Sequence, residues 1–173
     1  MKHWYMLTVV GKDQPGIVAG LSSALYRTGA NLGEASMARL GGNFTIMLMA
    51  ETAADEAELR SQLNPFADKL QLHVHIDRIE GRLHQHVEPN VQIAVHGADR
   101  PGIVAQVTGA LASAGLSILD LESDVGGTAD QPIYIMVIDG YVPGGVPTIA
   151  RALEPIRLSG IELRLTPINT LVG

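Results

Sequence analysis

The nine residues Gly11-Lys12-Asp13-Gln14-Pro15-Gly16-Ile17-Val18-Ala19 return eighty-six positions later as Gly97-Ala98-Asp99-Arg100-Pro101-Gly102-Ile103-Val104-Ala105. Laid over each other without a gap, Gly11–Gly29 and Gly97–Gly115 share 10 of 19 residues. A match at fixed offset over this length marks an internal duplication, so the chain must fold as one small plan made twice. Each copy follows an apolar run and opens a segment of helical periodicity, which predicts a strand, a tight turn and a helix start. Such a turn leaves backbone N–H groups unpaired at the positive end of the helix dipole, an arrangement suited to a carboxylate or another anion.

The rest of each copy reads in the same order. Trp4–Val10 is nearly all apolar, as a central strand is. Pro15 stands where a first-turn proline loses no hydrogen bond and arrives with helical φ. Ile17, Leu21, Leu25 and Thr28 mark one helical stripe, which Gly29 stops. A second strand is expected over Asn31–Leu40, a hairpin turn at Gly41-Gly42-Asn43, and a third strand over Phe44–Ala50. Residues 54–70 carry Leu59, Leu63, Phe66 and Leu70 at helical spacing, with Pro65 predicting a kink or two short pieces. Leu72, Val74 and Ile76 alternate with His73, His75 and Asp77, the pattern of a half-exposed strand.

The second copy follows suit with Val91, Ile93 and Val95, then Ile103, Val107, Leu111 and Ala114, then Leu116–Val125. A longer hairpin leads to Ile133–Asp139, a helix carrying Ile149, Leu153 and Ile156, and a last strand with Ile161, Leu163 and Leu165; Pro155 matches Pro65. The expected fold class is α+β: two tandem ferredoxin-like βαββαβ sandwiches, each an antiparallel sheet with both helices on one face. The expected domains are residues 1–80 and 91–173, joined by a polar linker over residues 81–90. Both third strands are apolar on two faces, so the face away from the helices is expected to be covered by the other module or by another chain.

Charge and composition exclude several functions. The formal net charge is −6, with 7 Lys/Arg against 9 Asp/Glu in residues 1–80 and 4 against 9 in residues 88–173. That balance neutralises few phosphates, and aromatics at 4% supply few bases with a stacking platform, with Phe44 and Tyr134 standing singly on the third strands. Direct nucleic-acid binding is therefore not expected. The chain has no cysteine, which removes disulfides, thiolate catalysis and thiolate metal sites. No Gly-x-Ser-x-Gly elbow, Walker lysine or His-Glu-x-x-His stands in for them, so no enzyme activity and no cofactor are expected. Met1-Lys2-His3-Trp4 runs on to Gly11-Lys12-Asp13 without a small-residue cleavage site, reading as a first strand rather than a signal peptide. No apolar run approaches bilayer length, and the expected location is the cytoplasm, without membrane contact.

Two clusters invite other chemistry. His73/His75 share a strand face, His84/His86 alternate nearby, and Asp77 stands close, but a metal wants a third or fourth ligand; a solvated strand and linker explain the pattern more simply, and no metal is expected. Asp120, Glu122 and Asp124 alternate on one strand face and read as the charges that keep a solvated edge from aggregating.

The βαββαβ plan with Asp13/Pro15/Gly16/Ile17 and Gly29/Asn31/Leu32, repeated as Asp99/Pro101/Gly102/Ile103 and Gly115/Ser117/Ile118, resembles the ACT domain. Two such domains with nothing fused to them are similar to the glycine cleavage system transcriptional repressor family. The resemblance implies a sensor of a small amino acid, with glycine the suspected ligand, bound between paired ACT domains of a homodimer or of one chain. It implies contacts from Gly11, Asp13, Gln14, Gly16, Ile17, Asn31 and Leu32 in the first copy, and from Asp99, Arg100, Gly102, Ile103 and Ser117 in the second. Ser117 departs from the pattern, since it lacks the amide of Asn31. A zwitterion needs N–H donors for its carboxylate and an acceptor for its ammonium, which an Asp and an Asn beside a helix start supply. A second reading of the same residues stands beside this one: Asp13 and Asp99 as turn residues capping the next helix, Gly16 and Gly102 as tight packing. The implied output is contact with a protein partner such as a DNA-bound regulator. The competing readings are a ligand-free ACT-type dimerisation module and a regulatory subunit acting in trans on an amino-acid enzyme.

Overall fold

A computed structural model describes residues 1–80, 87–98, 101–128 and 130–168. The chain divides into two compact units that part between residues 84 and 85. The first runs β1 (His3–Lys12), α1 (Ile17–Arg27), β2 (Asn31–Leu40), β3 (Asn43–Thr52), α2 (Glu56–Leu70) and β4 (His73–Ile79). The second runs β5 (Val91–Ala98), α3 (Ile103–Ser113), β6 (Ser117–Thr128), β7 (Gln131–Tyr141), α4 (Gly145–Leu158) and β8 (Glu162–Pro167). Their sheets are antiparallel, in the orders β2-β3-β1-β4 and β6-β7-β5-β8. This is the α+β plan of two βαββαβ sandwiches that the duplication predicts.

Period-two alternation decides which face each strand buries. Tyr5, Leu7 and Val9 of β1 lie in the core with Phe44, Ile46, Leu48 and Ala50 of β3. Leu7 is directly opposite Leu48 on one side and Ile76 on the other, and its full burial contributes about 1.5–3 kcal/mol. The opposite face carries Thr8 between Met47 and His75, with Met47 50% exposed. In the second unit Ile93 lies between Ile138 and Leu165, in a core shared with Val107, Leu111, Ile149 and Leu153. Phe44 is buried on the helix side, so it offers no stacking surface on the open face.

The helices correct one expectation and narrow another. Pro15 and Pro101 precede the helices rather than opening them: α1 and α3 begin at Ile17 and Ile103, behind N-cap residues Gly16 (φ 90, ψ −2) and Gly102 (φ 91, ψ −6). Those angles belong to the third residue of a type II turn, whose second position favours proline. The duplicated Pro-Gly is thus a turn that re-aims the chain before the helix begins. Pro65 does not split its helix, since α2 continues from Glu56 to Leu70, and α4 continues past Pro155 in the same way. Both prolines are exposed. The ring and the carbonyl it leaves unpaired therefore face water, while Leu59, Leu63 and Ala67 keep one buried stripe. Asp55 caps α2, its carboxylate accepting from the Glu58 N–H at 2.9 Å.

β2 and β6 are edge strands of their sheets, and every residue of β2 is exposed. Asp120, Glu122 and Asp124 lie on one face of the edge strand β6, opposite Asp139, Val137 and Ile135 of β7. They are solvated, as expected of charges guarding an edge.

Candidate functional site

The first unit forms a cleft of about 480 Å³ where the β1–α1 turn meets the end of the β2–β3 hairpin. Residues 13–19 form one wall, and Met37, Arg39 and Phe44 form the other. The ladder dictates this meeting. Gly11 faces Phe44 across the β1–β3 pair, Phe44 faces Arg39 across the β3–β2 pair, and the Asp13 N–H donates to the Gly42 carbonyl at 3.0 Å.

Asp13 does not cap α1, for no side chain accepts from that helix start and no acidic residue occupies its first turn. Its carboxylate instead pairs with the Arg39 guanidinium at 2.5 Å, with 24% of the Asp13 side chain and 68% of the Arg39 side chain exposed. Gly16 does not serve tight packing either, since a Cβ there would meet nothing within 4 Å. Its role is conformational, because φ 90 costs an L-residue about 1–2 kcal/mol. The first backbone bond of α1 runs from Gly20 N–H to the Gly16 carbonyl at 2.9 Å. The N–H groups of Ile17, Val18 and Ala19 therefore have no acceptor within the helix.

Not all of the predicted residues gather here. Gly11 is a close-approach position, where a Cβ would stand 2.5 Å from Leu72 Cδ2 and 3.3 Å from the Gln71 carbonyl. Gln14 lines the cleft, yet its amide donates to the Leu70 carbonyl at 3.0 Å and so ties the turn to the end of α2. Asn31 and Leu32 lie at the other end of β2, opposite Glu51 and Ala50. Eight residues separate Asn31 from Arg39, about 26 Å of strand. One module therefore does not bring Asn31 to Asp13. Ser117 stands at the same remote end of its own sheet, opposite Tyr141. Gly102 and Ile103 sit at the start of α3 as Gly16 and Ile17 do at α1, while Asp99 and Arg100 lie outside the described residues.

Arg39, Met37, Phe44, Val18 and Ala19 were not foreseen. Arg39 carried a faint signal as the one basic residue between Asn31 and Leu40, but its approach to Asp13 depends on β1–β3 register, which a sequence does not print. In the second unit Val125 faces Tyr134, and Tyr134 faces Gly97. Val125 thus stands where Arg39 does, and Ser123, opposite Met136, stands where Met37 does.

His73 and His75 lie exposed on one face of β4. His75 Nε2 lies 3.0 Å from Asp77 Oδ2, and among the described residues no three His, Cys, Asp or Glu gather as metal ligands. His84 and His86 lie outside the described residues. No helix among the described residues is long and apolar enough to cross a membrane.

Fold and cleft together define a tandem of ferredoxin-like modules with a ligand-sized opening at a strand–helix turn. The ACT domain family model matches residues 3–77, a further ACT model matches residues 91–154, and the chain belongs to the ACT domain family. A UPF0237 protein of Listeria innocua is 36% identical over 78 residues, covering 43% of this chain and 88% of that one. The glycine cleavage system transcriptional repressor of Escherichia coli is 27% identical over 123 residues, covering 70% of this chain and 65% of the repressor's own length. In fold, the chain is similar to an unknown protein from Galdieria sulphuraria (TM-score 0.78, 24% identity), across 98% of this chain and 100% of that one. The chain therefore carries two ACT domains in tandem and is similar to the glycine cleavage repressor over most of its length.

Proposed function

We propose that this protein senses a free amino acid through its first ACT module and acts, without catalysis of its own, by changing its contact with a protein partner. The observation that carries the reading is the cleft at residues 13–19, where a carboxylate, a guanidinium and an uncapped helix start meet. These are the groups a zwitterion requires. Glycine is the first ligand to test, and transcription the first output, because the related Escherichia coli protein is a glycine cleavage system transcriptional repressor. A DNA-bound regulator would be the partner, since an acidic chain is poorly suited to phosphates.

Pairing favours the same reading. β2 is a ten-residue edge with Leu32 and Met37 about half exposed, at 49% and 52%, a template for a further strand. A second copy of β2 running antiparallel sets Asn31 of one copy beside Arg39 of the other, which joins the two halves of the predicted set. A homodimer built this way is part of the proposal. The ligand then acts by population shift, favouring the arrangement it binds better, and the partner must alter ligand affinity by the same factor.

Thermal unfolding of the full chain against the twenty amino acids singly, at millimolar concentration, tests this. Stabilisation by one or two of them is expected, about 2.7 kcal/mol at 100 times Kd. No shift with any of them removes the sensor and leaves the exposed edge as the mark of a ligand-free pairing module.

A further inference from the structure

The duplicated turn does not account for Arg39, which the edge strand contributes and which the second module replaces with Val125. We infer that Arg39 is the carboxylate-binding residue of the first module, and that an α-amino acid binds by parting the Asp13–Arg39 pair, giving its carboxylate to Arg39 and its ammonium to Asp13. The inference rests on the sensing function above and adds the ligand's charge pattern and orientation.

Three observations converge on it. The two charges touch each other at 2.5 Å within the lining of one cleft, so a ligand carrying both signs leaves neither group unpaired. A simple anion meets Arg39 but also the Asp13 carboxylate, and a simple amine meets Asp13 but also the guanidinium. Secondly, the Arg39 side chain is 68% exposed, and ion pairs so placed are weak and part readily. Thirdly, Ile17, Val18 and Ala19, whose N–H groups have no acceptor within α1, line the same cleft, so a carboxylate on Arg39 has helix-start donors beside it, and the guanidinium fork fixes its plane. The rest of the lining is largely apolar, with Pro15, Val18, Met37 and Phe44, and leaves the ligand's side chain in an apolar setting.

The test uses the full chain and isothermal titration. Each of the twenty amino acids is titrated singly; for any that binds, the 2-oxo acid lacking its ammonium and the primary amine lacking its carboxylate follow. The expected result is binding of the amino acid and at least tenfold weaker binding of both counterparts. Arg39→Gln weakens the amino acid tenfold or more, and Arg39→Lys, which keeps the charge without the fork, weakens it less. Asp13→Asn weakens the amino acid but tightens the 2-oxo acid, because it removes the carboxylate that repels it, a gain no merely structural role produces. Wild-type affinity in Arg39→Gln overturns the inference and leaves the sensor standing. Failure of all twenty amino acids to bind the wild-type chain overturns both.

Discussion

The helix starts at Gly16 and Gly102 share a backbone conformation and differ in what faces them across the sheet. Gly16 and Gly102 adopt the same left-handed conformation, at φ 90 and 91, and both helices start at the following isoleucine without a side-chain cap. Across the sheet, Arg39, Met37 and Phe44 in the first unit are answered by Val125, Ser123 and Tyr134 in the second. The duplication therefore kept the residues that dictate backbone path and varied those that an edge strand presents to the cleft. One fold can hold two corners of unequal chemistry because its path is set by glycine φ values and core burial, neither of which restricts an exposed edge side chain.

The comparison breaks most visibly in the core beneath the corners. Phe44 is buried at 3% exposure and Tyr134 is only half-buried. Phe44→Ala is expected to cost about 3–5 kcal/mol and Tyr134→Ala less. Urea unfolding followed by the single tryptophan, Trp4 of β1, reads the first unit directly, and hydrogen exchange reads the second. Equal losses would mean that the two corners are packed alike.

A smaller asymmetry lies at the first residue of the motif. A Cβ on Gly11 would stand 2.5 Å from Leu72 Cδ2 and 3.3 Å from backbone atoms, whereas on Gly97 it would meet only side-chain atoms, of Ile103 at 3.3 Å and Ile161 at 3.8 Å. Gly11→Ala should therefore cost about 1–3 kcal/mol as overpacking, and Gly97→Ala clearly less. Denaturant midpoints of the two variants decide it.

The turn itself should be symmetric. Gly16→Ala meets open space and Gly102→Ala meets only Gln106 Nε2 at 3.9 Å, so each pays for left-handed backbone alone, about 1–2 kcal/mol. A much larger loss at either position, measured by the same unfolding curves, would show a packing role that the geometry does not contain.

Most of the fold was legible in the sequence because it is written in periodicity and repetition. The alternation in Leu72–Asp77, the stripe Leu59/Leu63 and the fixed offset between copies are local signals, and each element they predicted is present. The helix start behind Pro15 was misread because a first-turn proline and a type II turn share proline's φ, and only the φ of Gly16 separates them. Of the kink or split expected at Pro65, the split is absent, because this side of α2 faces water, which sequence alone did not reveal. The site was legible only in half. Asp13, Gly16 and Ile17 fall within one five-residue stretch and declare themselves, but Arg39 reaches Asp13 through two strand pairings, a non-local fact. The same pairings carry Asn31 away to the far end of β2.

The smallest expected change in stability carries the sharpest test of the comparison. Arg39→Val gives the first corner the residue of the second. The pair it removes is largely exposed on the arginine side, and such pairs contribute about 0–1 kcal/mol, so the unfolding midpoint should scarcely move. Asp13 and the helix N–H groups remain, so any residual binding of an amino acid measures what the duplicated turn does alone. If stabilisation by amino acids disappears while the midpoint holds, the edge strand decides which module senses, and the turn supplies only the frame. If stabilisation persists at full size, the turn suffices. The second module, with the same turn and a valine at its edge, must then be expected to bind as well.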